Sequence, residues 1–274
     1  MRLPEGLWLR VATAAVLLGG LLAALLLLDR LQLAVLLGAV IALAGHEWGR
    51  LAGLGRPTAA LYGVACAALF GMAAFALLAA PRVQQGLFAS SALFWILFAP
   101  AWMRVGLGRS GRTALGAAGI VVLVPAGLAA LALPVDRLLP VMALVWIADS
   151  AAYFAGRAFG RRKLAPAISP GKTWEGVAGA VAATLIYAII CAVPGAPFAA
   201  SARGAGWIPY LVGVVLLCAL GVVGDLFESA LKRRADAKDS GTLLPGHGGV
   251  LDRIDSMTST LPIAALLLSW TAAP

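Results

Sequence analysis

The segment from Ser229 to Asp255 carries most of the residues in this sequence that could do chemistry. Its 27 residues include four Asp, five Lys or Arg, one His and four Gly. Charge is costly in or near lipid, so a hydrophobic protein does not keep so many charged side chains beside its apolar helices without a use for them. Carboxylates can hold a divalent metal ion, and cations with exposed backbone N–H groups can hold phosphates. The segment therefore indicates a site for a metal ion and phosphates.

Two pairs of acids stand at the ends of the apolar runs that flank this segment. Asp225 and Glu228 share one helical face with Lys232, and Asp252 and Asp255 are three residues apart at the start of the last apolar run. Mg²⁺ prefers oxygen ligands and is typically held by one or two carboxylates plus substrate phosphates. Asp225 and Asp252 form the best pair of metal ligands. Two structural alternatives remain open: Glu228 forms a salt bridge with Lys232, and Asp255 caps the last helix.

A further acid and a basic loop precede this region. Asp149 lies late in an apolar run, where an acid indicates a functional site, although an ion pair with Arg157 is the alternative. The loop ISPGKTWEG follows, and its Ser169, Lys172 and Thr173 could bind phosphate. It lacks the G-x-x-x-x-G-K-[ST] pattern of a phosphate-binding P-loop. A basic loop that touches lipid headgroups is the alternative interpretation.

The PGHGG turn combines a histidine with glycines that permit tight backbone geometry. Gly246, Gly248 and Gly249 can aim backbone N–H groups at an anion. His247 could donate a hydrogen bond to a phosphate or hold the turn together, and the sequence does not decide between these roles.

The composition indicates a protein that lies in a membrane. Of the 274 residues, 62% are hydrophobic and 12% are charged, whereas soluble domains contain about 25% charged residues. A helix crosses the hydrocarbon in about 20 residues. The sequence therefore predicts an all-α, polytopic membrane helical bundle of about nine transmembrane helices. These spans lie roughly at 11–28, 31–45, 58–80, 87–102, 114–134, 138–156, 176–195, 207–228 and 256–272.

The basic residues predict the orientation of this bundle. With the N-terminus in the cytoplasm, 17 of the 21 Lys and Arg residues fall in cytoplasmic segments, as the positive-inside rule requires. The loops 157–175 and 229–255 then face the cytoplasm. Cytoplasmic anchoring and anionic lipid explain the net charge of +9 better than nucleic acid does. Residues 1–137 are predicted to form about five N-terminal spans, and residues 138–274 the catalytic transmembrane region.

Residues 229–255 resemble the signature of the phosphatidate cytidylyltransferases (CDP-diacylglycerol synthases). That signature contains a Ser, then Lys-Arg, Lys-Asp, a small residue, His-Gly-Gly and Asp-Arg-x-Asp. GDLFES and the ISPGKTWEG loop are also similar to the family, although Gly171 stands where many members have Lys. The resemblance extends from about Asp149 to the C-terminus. The matching signature residues are Ser229, Lys232, Arg233, Lys238, Asp239, Gly241, His247, Gly248, Gly249, Asp252, Arg253 and Asp255.

The resemblance implies a nucleotidyltransferase that converts CTP and phosphatidic acid to CDP-diacylglycerol and pyrophosphate in phospholipid biosynthesis. It implies Mg²⁺, a second, monovalent cation such as K⁺, and a homodimer in the inner membrane with its active site facing the cytoplasm. The expected metal ligands are Asp225, Asp252 and Asp149. The expected catalytic residues are Asp225, Asp252, Lys238 and Asp239. The expected substrate-binding residues are Ser169, Lys172, Thr173, Ser229, Lys232, Arg233, His247, Gly248, Gly249 and Arg253.

Two other functions remain open from the sequence. A CTP-dependent polyprenol or phytol kinase could share these polar motifs, but it would leave phosphate rather than CMP on its lipid. A transporter could use Asp149 and Asp225 to carry protons or ions, and it would show counterflow without consuming CTP. The sequence lacks the D-x-x-D-G-x-x-A-R pattern of CDP-alcohol phosphotransferases, which argues against that class.

Overall fold

The computed structural model describes residues 7–77, 80–244 and 246–271, and this part of the chain is mainly helical. A π-helical segment, Phe94–Phe98, joins the helices Pro81–Leu93 and Ala99–Val105. The helices are α1 (Leu7–Leu27), α2 (Arg30–Leu51), α3 (Arg56–Leu77), α4 (Pro81–Leu93), α5 (Ala99–Val105), α6 (Arg112–Ala132), α7 (Val135–Phe159), α8 (Trp174–Ile190), α9 (Trp207–Arg234) and α10 (Leu251–Thr271). Two strands, β1 (Lys163–Ala165) and β2 (Ser169–Thr173), lie between α7 and α8.

The length and composition of the helices make this chain an integral membrane protein. Two further apolar stretches, 12–27 in α1 and 174–190 in α8, are shorter. Each predicted span overlaps one helix, except that the fourth span overlaps the helical stretch from α4 to α5. The count of nine crossings stays a prediction. Among the described residues, six stretches are long and apolar enough to cross a membrane: 30–51, 56–76, 82–105, 112–132, 135–159 and 204–234.

The helices next to the charged segment extend further than the predicted loops allowed. The predicted loop 229–255 is shorter, because α9 continues to Arg234 and α10 already begins at Leu251. The last turn of α9 contains Lys232, Arg233 and Arg234, and cations there are favoured by the helix dipole. A helix can therefore continue through the polar residues that follow an apolar span. As a result, much of the signature is helical.

An aromatic cluster packs α9 against the N-terminal half of the chain. Phe227 of α9 is completely buried. Its ring stacks on Trp48 of α2 with centroids 6.2 Å apart, and it meets Phe94 and Trp95 edge-on at 5.6 and 5.7 Å. Aromatic pairs at these separations favour defined orientations. The N-terminal helices therefore fix the rotation of α9, and with it the direction in which the polar face of α9 points.

The basic loop between α7 and α8 forms an antiparallel hairpin. Lys163 pairs with Thr173, and Ala165 pairs with Ser169. Thr173 also begins the next helix, because its hydroxyl oxygen accepts a hydrogen bond from the backbone N–H of Gly176 at 3.1 Å. An N-cap of this kind satisfies a backbone donor that has no partner within the helix. The strand and the start of α8 are thus joined at one residue.

Glu175 ties the other side of the hairpin to the first turn of α8. Its carboxylate accepts hydrogen bonds from the backbone N–H groups of Arg161 and Arg162, at 3.0 and 3.1 Å. The N–H of Arg161 and the other donors around the carboxylate lower the pKa of Glu175 to about 2. Lys172 lies two residues before α8, so these contacts hold the strand that carries it.

Candidate active site

A cavity of about 750 Å³ lies between α7, β2, α8, α9 and α10. Its wall is apolar toward the middle of the bundle, where Leu144 and Leu217 lie, and charged toward the ends of α7 and α9. Five acids and four cations share one space, which suits a site for a polyanionic substrate together with a metal ion. The charged lining residues are Asp149, Arg157, Lys172, Asp225, Lys232, Asp239, Asp252, Arg253 and Asp255.

Asp225 links α9 to the hairpin. Its Oδ2 lies 2.5 Å from Nζ of Lys172, and its Oδ1 accepts a hydrogen bond from the hydroxyl of Ser229 at 3.2 Å. The side chains of Asp225 and Lys172 are 29% and 24% exposed. This ion pair is thus half-buried but open to the cavity, so its members can exchange their partners for an entering cation and phosphate.

Asp252 is held more firmly than Asp225, because hydrogen bonds surround its carboxylate. Oδ2 accepts from the backbone N–H groups of Gly249 and Ser240, at 2.8 and 2.9 Å, and lies 3.0 Å from the hydroxyl oxygen of Ser240. Oδ1 accepts from Nζ of Lys232 at 2.7 Å. The side chain is only 5% exposed. Asp252 therefore organises the turn before α10 as well as lining the cavity.

Lys232 joins two buried acids. Its Nζ lies 2.5 Å from Oε2 of Glu228 and 2.7 Å from Oδ1 of Asp252, and these carboxylates are 3% and 5% exposed. The alternative that Glu228 pairs with Lys232 is confirmed. One ammonium group thus compensates two carboxylates and connects α9 to the first turn of α10.

Replacing Lys232 with methionine should lower the stability of the protein. The change leaves Glu228 and Asp252 without their counter-ion, and removing one partner of a buried ion pair costs about 3–5 kcal/mol. We expect the unfolding midpoint in detergent to fall by about 5–10 °C, and Glu228→Gln in the same background to restore part of the loss. Lys238→Met, at an exposed position, is the control. Equal midpoints for Lys232→Met and the unmodified protein would contradict this role.

Asp149 and Asp255 line the same cavity from α7 and α10. Among the ion pairs of the described residues, none joins Asp149 to Arg157, and the guanidinium of Arg157 donates to the hydroxyl of Tyr153 at 2.9 Å. The alternative that Asp255 caps the last helix is wrong, because α10 begins at Leu251 and Asp255 lies in its second turn. Sequence reasoning thus omitted Asp255 from the site, although its spacing from Asp252 was a signal.

The other predicted residues divide between the cavity wall and its surroundings. Arg233 donates from Nε to the carbonyl oxygen of Ile168 at 3.3 Å, next to the hairpin. Lys238 is exposed outside the wall, and His247 lies in the turn that precedes Gly248 and Gly249. Their roles toward a substrate stay predictions. The predicted residues that line the cavity in addition to those described above are Ser169, Thr173, Asp239 and Arg253.

Glu47 of α2 is a residue of this region that sequence reasoning missed. Its side chain reaches the signature segment although about 200 residues separate them, and the residue is only 6% exposed. Oε2 accepts from the hydroxyl of Ser240 and the backbone N–H of Leu251, both at 2.8 Å, and Oε1 accepts from the backbone N–H of Val250 at 3.0 Å. Glu47 thus satisfies N–H groups at the start of α10, where an anion is favoured.

This carboxylate also explains why glycines surround it. A Cβ atom on Gly241 would lie 2.5 Å from Oε1 of Glu47, and one on Gly249 would overlap the carboxylate of Glu47 and the hydroxyl of Ser240. Gly248 has a φ of +78°, and a Cβ there would lie 2.5 Å from Oδ2 of Asp252. The turn can therefore close around two buried carboxylates only where side chains are absent.

Comparison with known proteins decides the family. The profile of the cytidylyltransferase family matches residues 8–271. The chain belongs to this cytidylyltransferase family. A phosphatidate cytidylyltransferase of Pseudomonas aeruginosa is 41% identical, over 96% of this chain and 97% of its own length. Proteins of the same name from Haemophilus influenzae and Bacillus subtilis are 52% and 44% identical over 46% of this chain, and over 43% and 45% of their own lengths. The resemblance inferred from the signature is confirmed.

The acids that line this cavity could contribute to a metal site. Among the described residues, no three His, Cys, Asp or Glu side chains stand close enough together to form a complete metal site. Mg²⁺ does not require one, because it retains water and uses one or two carboxylates together with substrate phosphates. Asp149, Asp225 and Asp255 supply hard oxygen donors to one open space. The residues therefore fit a Mg²⁺ ion that substrate phosphates complete.

The cations that line the cavity could also hold phosphates. Lys172 and Lys232 bring their ammonium groups to the cavity from the hairpin and from α9, and Arg253 adds a guanidinium from α10. These three cations come from different elements, so they surround the space rather than line one side of it. Positive groups around a transferring phosphoryl group stabilise its charge without any covalent role for the protein.

Proposed function

We propose that this protein is an enzyme that converts CTP and phosphatidic acid to CDP-diacylglycerol and pyrophosphate in phospholipid biosynthesis. One observation carries the proposal: a single cavity at the ends of apolar helices gathers Asp149, Asp225 and Asp255 with Lys172 and Lys232. The family and the names of its relatives support it. A lipid substrate and a soluble nucleotide need a site of this kind, with one apolar side and one charged side.

The reaction needs positioning more than proton transfer. A phosphate oxygen of phosphatidate is already anionic, and it attacks the α-phosphorus of CTP. A new P–O bond forms while the bond from that phosphorus to the bridging oxygen of pyrophosphate breaks, and the pyrophosphate leaves with the electron pair. The barrier lies in bringing two polyanions together.

Several side chains share the work of lowering this barrier. We assign phosphate binding to Lys172, Lys232, Arg253 and Ser169, each of which lines the cavity. When an anion enters, Lys172 can transfer its contact from Asp225 to a phosphate. The freed carboxylate is then available to a metal ion. Each charged group thus exchanges one partner of opposite charge for another, and no buried charge is left without a partner.

The same proposal includes a metal ion. The predicted set was Asp225 and Asp252, with Asp149 as a further ligand. The hydrogen bonds around Asp252 favour Asp225, together with either Asp149 or Asp255, as the groups that face the ion, with Asp252 supporting them. Mg²⁺ bound there would neutralise phosphate charge and polarise phosphoryl oxygens. A monovalent cation such as K⁺ is part of the same hypothesis.

We further propose that the protein crosses the inner membrane nine times with its N-terminus and its active site in the cytoplasm. The excess of Lys and Arg in the segments on one side supports this orientation. CTP is a cytoplasmic nucleotide, so the cavity must open on that side. A homodimer is proposed from the resemblance alone.

Purified protein in detergent, with labelled CTP, phosphatidate and Mg²⁺, tests the function. We expect CDP-diacylglycerol and pyrophosphate to form in equal amounts, and EDTA to abolish product until excess Mg²⁺ is restored. Phosphate on a polyprenol instead of CMP on phosphatidate would indicate a lipid kinase. Counterflow across vesicles without CTP consumption would indicate a transporter, and turnover unaffected by EDTA would contradict the metal.

A further inference from the structure

A second, apolar cavity of about 280 Å³ lies deeper in the bundle, between α7, α8, α9 and α10. It adjoins the charged cavity, because Leu144 and Leu217 line both. Most of its wall is hydrocarbon, for example Val141, Val214 and Leu267. The two cavities are therefore neighbours, one with a charged wall and the other with an apolar wall.

One face of α9 lines both cavities. On α9, Tyr210, Val214 and Leu217 line the apolar cavity, and Leu217, Gly221 and Asp225 line the charged one. Steps of three or four residues keep all of them on one helical face. The distance along α9 from Leu217 to Tyr210 is about 11 Å at 1.5 Å per residue. The apolar cavity thus continues the charged one along the bundle axis.

The far end of the apolar cavity is covered by the segment that links α8 to α9. Phe198 of this segment is buried and lines the cavity, and its ring lies 6.0 Å from that of Tyr210. Arg137 of α7 holds the segment in place: its guanidinium lies 5.1 Å from the centroid of Phe198 and donates to the carbonyl oxygen of Pro197. The cavity is therefore limited in depth.

The tyrosines of this cavity do not offer free hydroxyls to a polar ligand. The hydroxyl of Tyr187 donates to the carbonyl oxygen of Pro140 at 3.1 Å, and that of Tyr210 donates to the carbonyl oxygen of Ala188 at 2.8 Å. Their rings are left to face the cavity. The wall therefore suits a hydrocarbon chain and not a sugar, a base or an ion.

We propose that this apolar cavity holds one acyl chain of the lipid substrate while the phosphate of that lipid lies in the charged cavity. The inference rests on the proposed function and adds to it a subsite and a selectivity. The shared wall at Leu144 and Leu217 places the chain next to the headgroup. The limited depth sets a preferred chain length, because each further methylene must find apolar wall.

Gly213 gives a direct way to fill the cavity. It lines the wall, and a Cβ atom there would meet only Cδ1 of Leu267, at an ordinary contact distance of 3.5 Å. Gly213→Phe should therefore fold and project its ring into the chain's space. Val212→Phe is the matched control, since Val212 is the adjacent residue of α9 and is 62% exposed, outside the cavity wall.

Turnover of dipalmitoyl and dihexanoyl phosphatidate is compared for these variants and the unmodified protein. In Gly213→Phe we expect kcat/KM for the long-chain lipid to fall about tenfold or more relative to the short-chain lipid. Val212→Phe should leave the ratio unchanged. An equal loss for both lipids, or no loss in a folded Gly213→Phe variant, would overturn the proposal. Gly213→Leu, a smaller filling, should show the same order of preference to a lesser degree.

A second readout does not depend on turnover. Phosphatidate with a photoreactive group at the end of one acyl chain is irradiated with the unmodified protein in detergent, and labelled peptides are identified by mass spectrometry. Labels on 206–217 and 264–270 are expected, and Gly213→Phe should reduce them. Labels spread over lipid-facing residues such as Phe75 and Leu61, which are exposed, would overturn the inference. Failure of the unmodified protein to form CDP-lipid would instead count against the proposed function.

Discussion

Asp225→Asn should abolish most of the turnover, by a factor on the order of 10³. The side chain keeps its size and its hydrogen bond from Ser229, so the fold should be retained. What is lost is the negative charge that faces Lys172 at 2.5 Å and that the proposed Mg²⁺ site requires. The measurement is CDP-diacylglycerol formed from labelled CTP at saturating Mg²⁺, with the unfolding midpoint recorded for each preparation.

The matched control for this experiment is Asp236→Asn. Asp236 is exposed, lies just after α9 and does not line the cavity. Its φ is +52°, a conformation that asparagine also adopts. This variant should keep turnover close to that of the unmodified protein. Substantial activity in a well-folded Asp225→Asn variant would remove Asp225 from the site, whatever the effect at position 236.

Glu47→Gln should lower kcat by about a hundredfold, although Glu47 does not line the cavity. A carboxylate can accept from Ser240, Val250 and Leu251 at once. An amide has one acceptor oxygen, and its NH₂ group would face N–H or O–H donors, each unsatisfied at a cost of about 1–3 kcal/mol. The turn before α10 must then shift, and a displacement of about 1 Å can cost a hundredfold in rate.

If Glu47 acts by positioning the turn before α10, its variants should change the kinetic constants in a specific pattern. The KM for CTP should change less than kcat, and Glu47→Asp should recover part of the rate because it restores the charge. Asp29→Asn is the control on the same helix, since Asp29 is the exposed N-cap of α2 and asparagine caps equally well. Full activity in Glu47→Gln would show that the turn keeps its shape without this carboxylate.

The hydrophobic pattern of the sequence predicted the positions of the helices. Apolar runs of about 20 residues placed the helices, and the signature located the charged end of the site. Helix ends were less predictable, because cations such as Arg233 and Arg234 satisfy the C-terminus of α9 and let it extend beyond the membrane. The hairpin at 163–173 was also missed. Its short strands include Pro170 and Gly171, which are unusual in strands.

The roles of two acids could not be predicted from the sequence, because these roles depend on the folded structure and not on neighbouring residues. A helix-cap role for Asp255 stayed an open alternative because its local position allowed this, and the start of α10 at Leu251 excludes it. Glu47 could not be found from local pattern, since its partners lie about 200 residues away. A single acid at the end of an apolar helix carries a signal, but nothing nearby in the sequence says what it faces.

The position of Glu47 means that the signature half of the chain is not a portable module. Residues of α10 and the glycine turn depend on a carboxylate supplied by the second helix, and Phe227 depends on Trp48 of that same helix. A chimaera that grafts the C-terminal half onto foreign helices would keep every signature residue yet lose the group that shapes them. Substitutions in the N-terminal helices are therefore expected to be tolerated at lipid-facing positions and to be harmful at inward-facing ones such as Glu47 and Trp48.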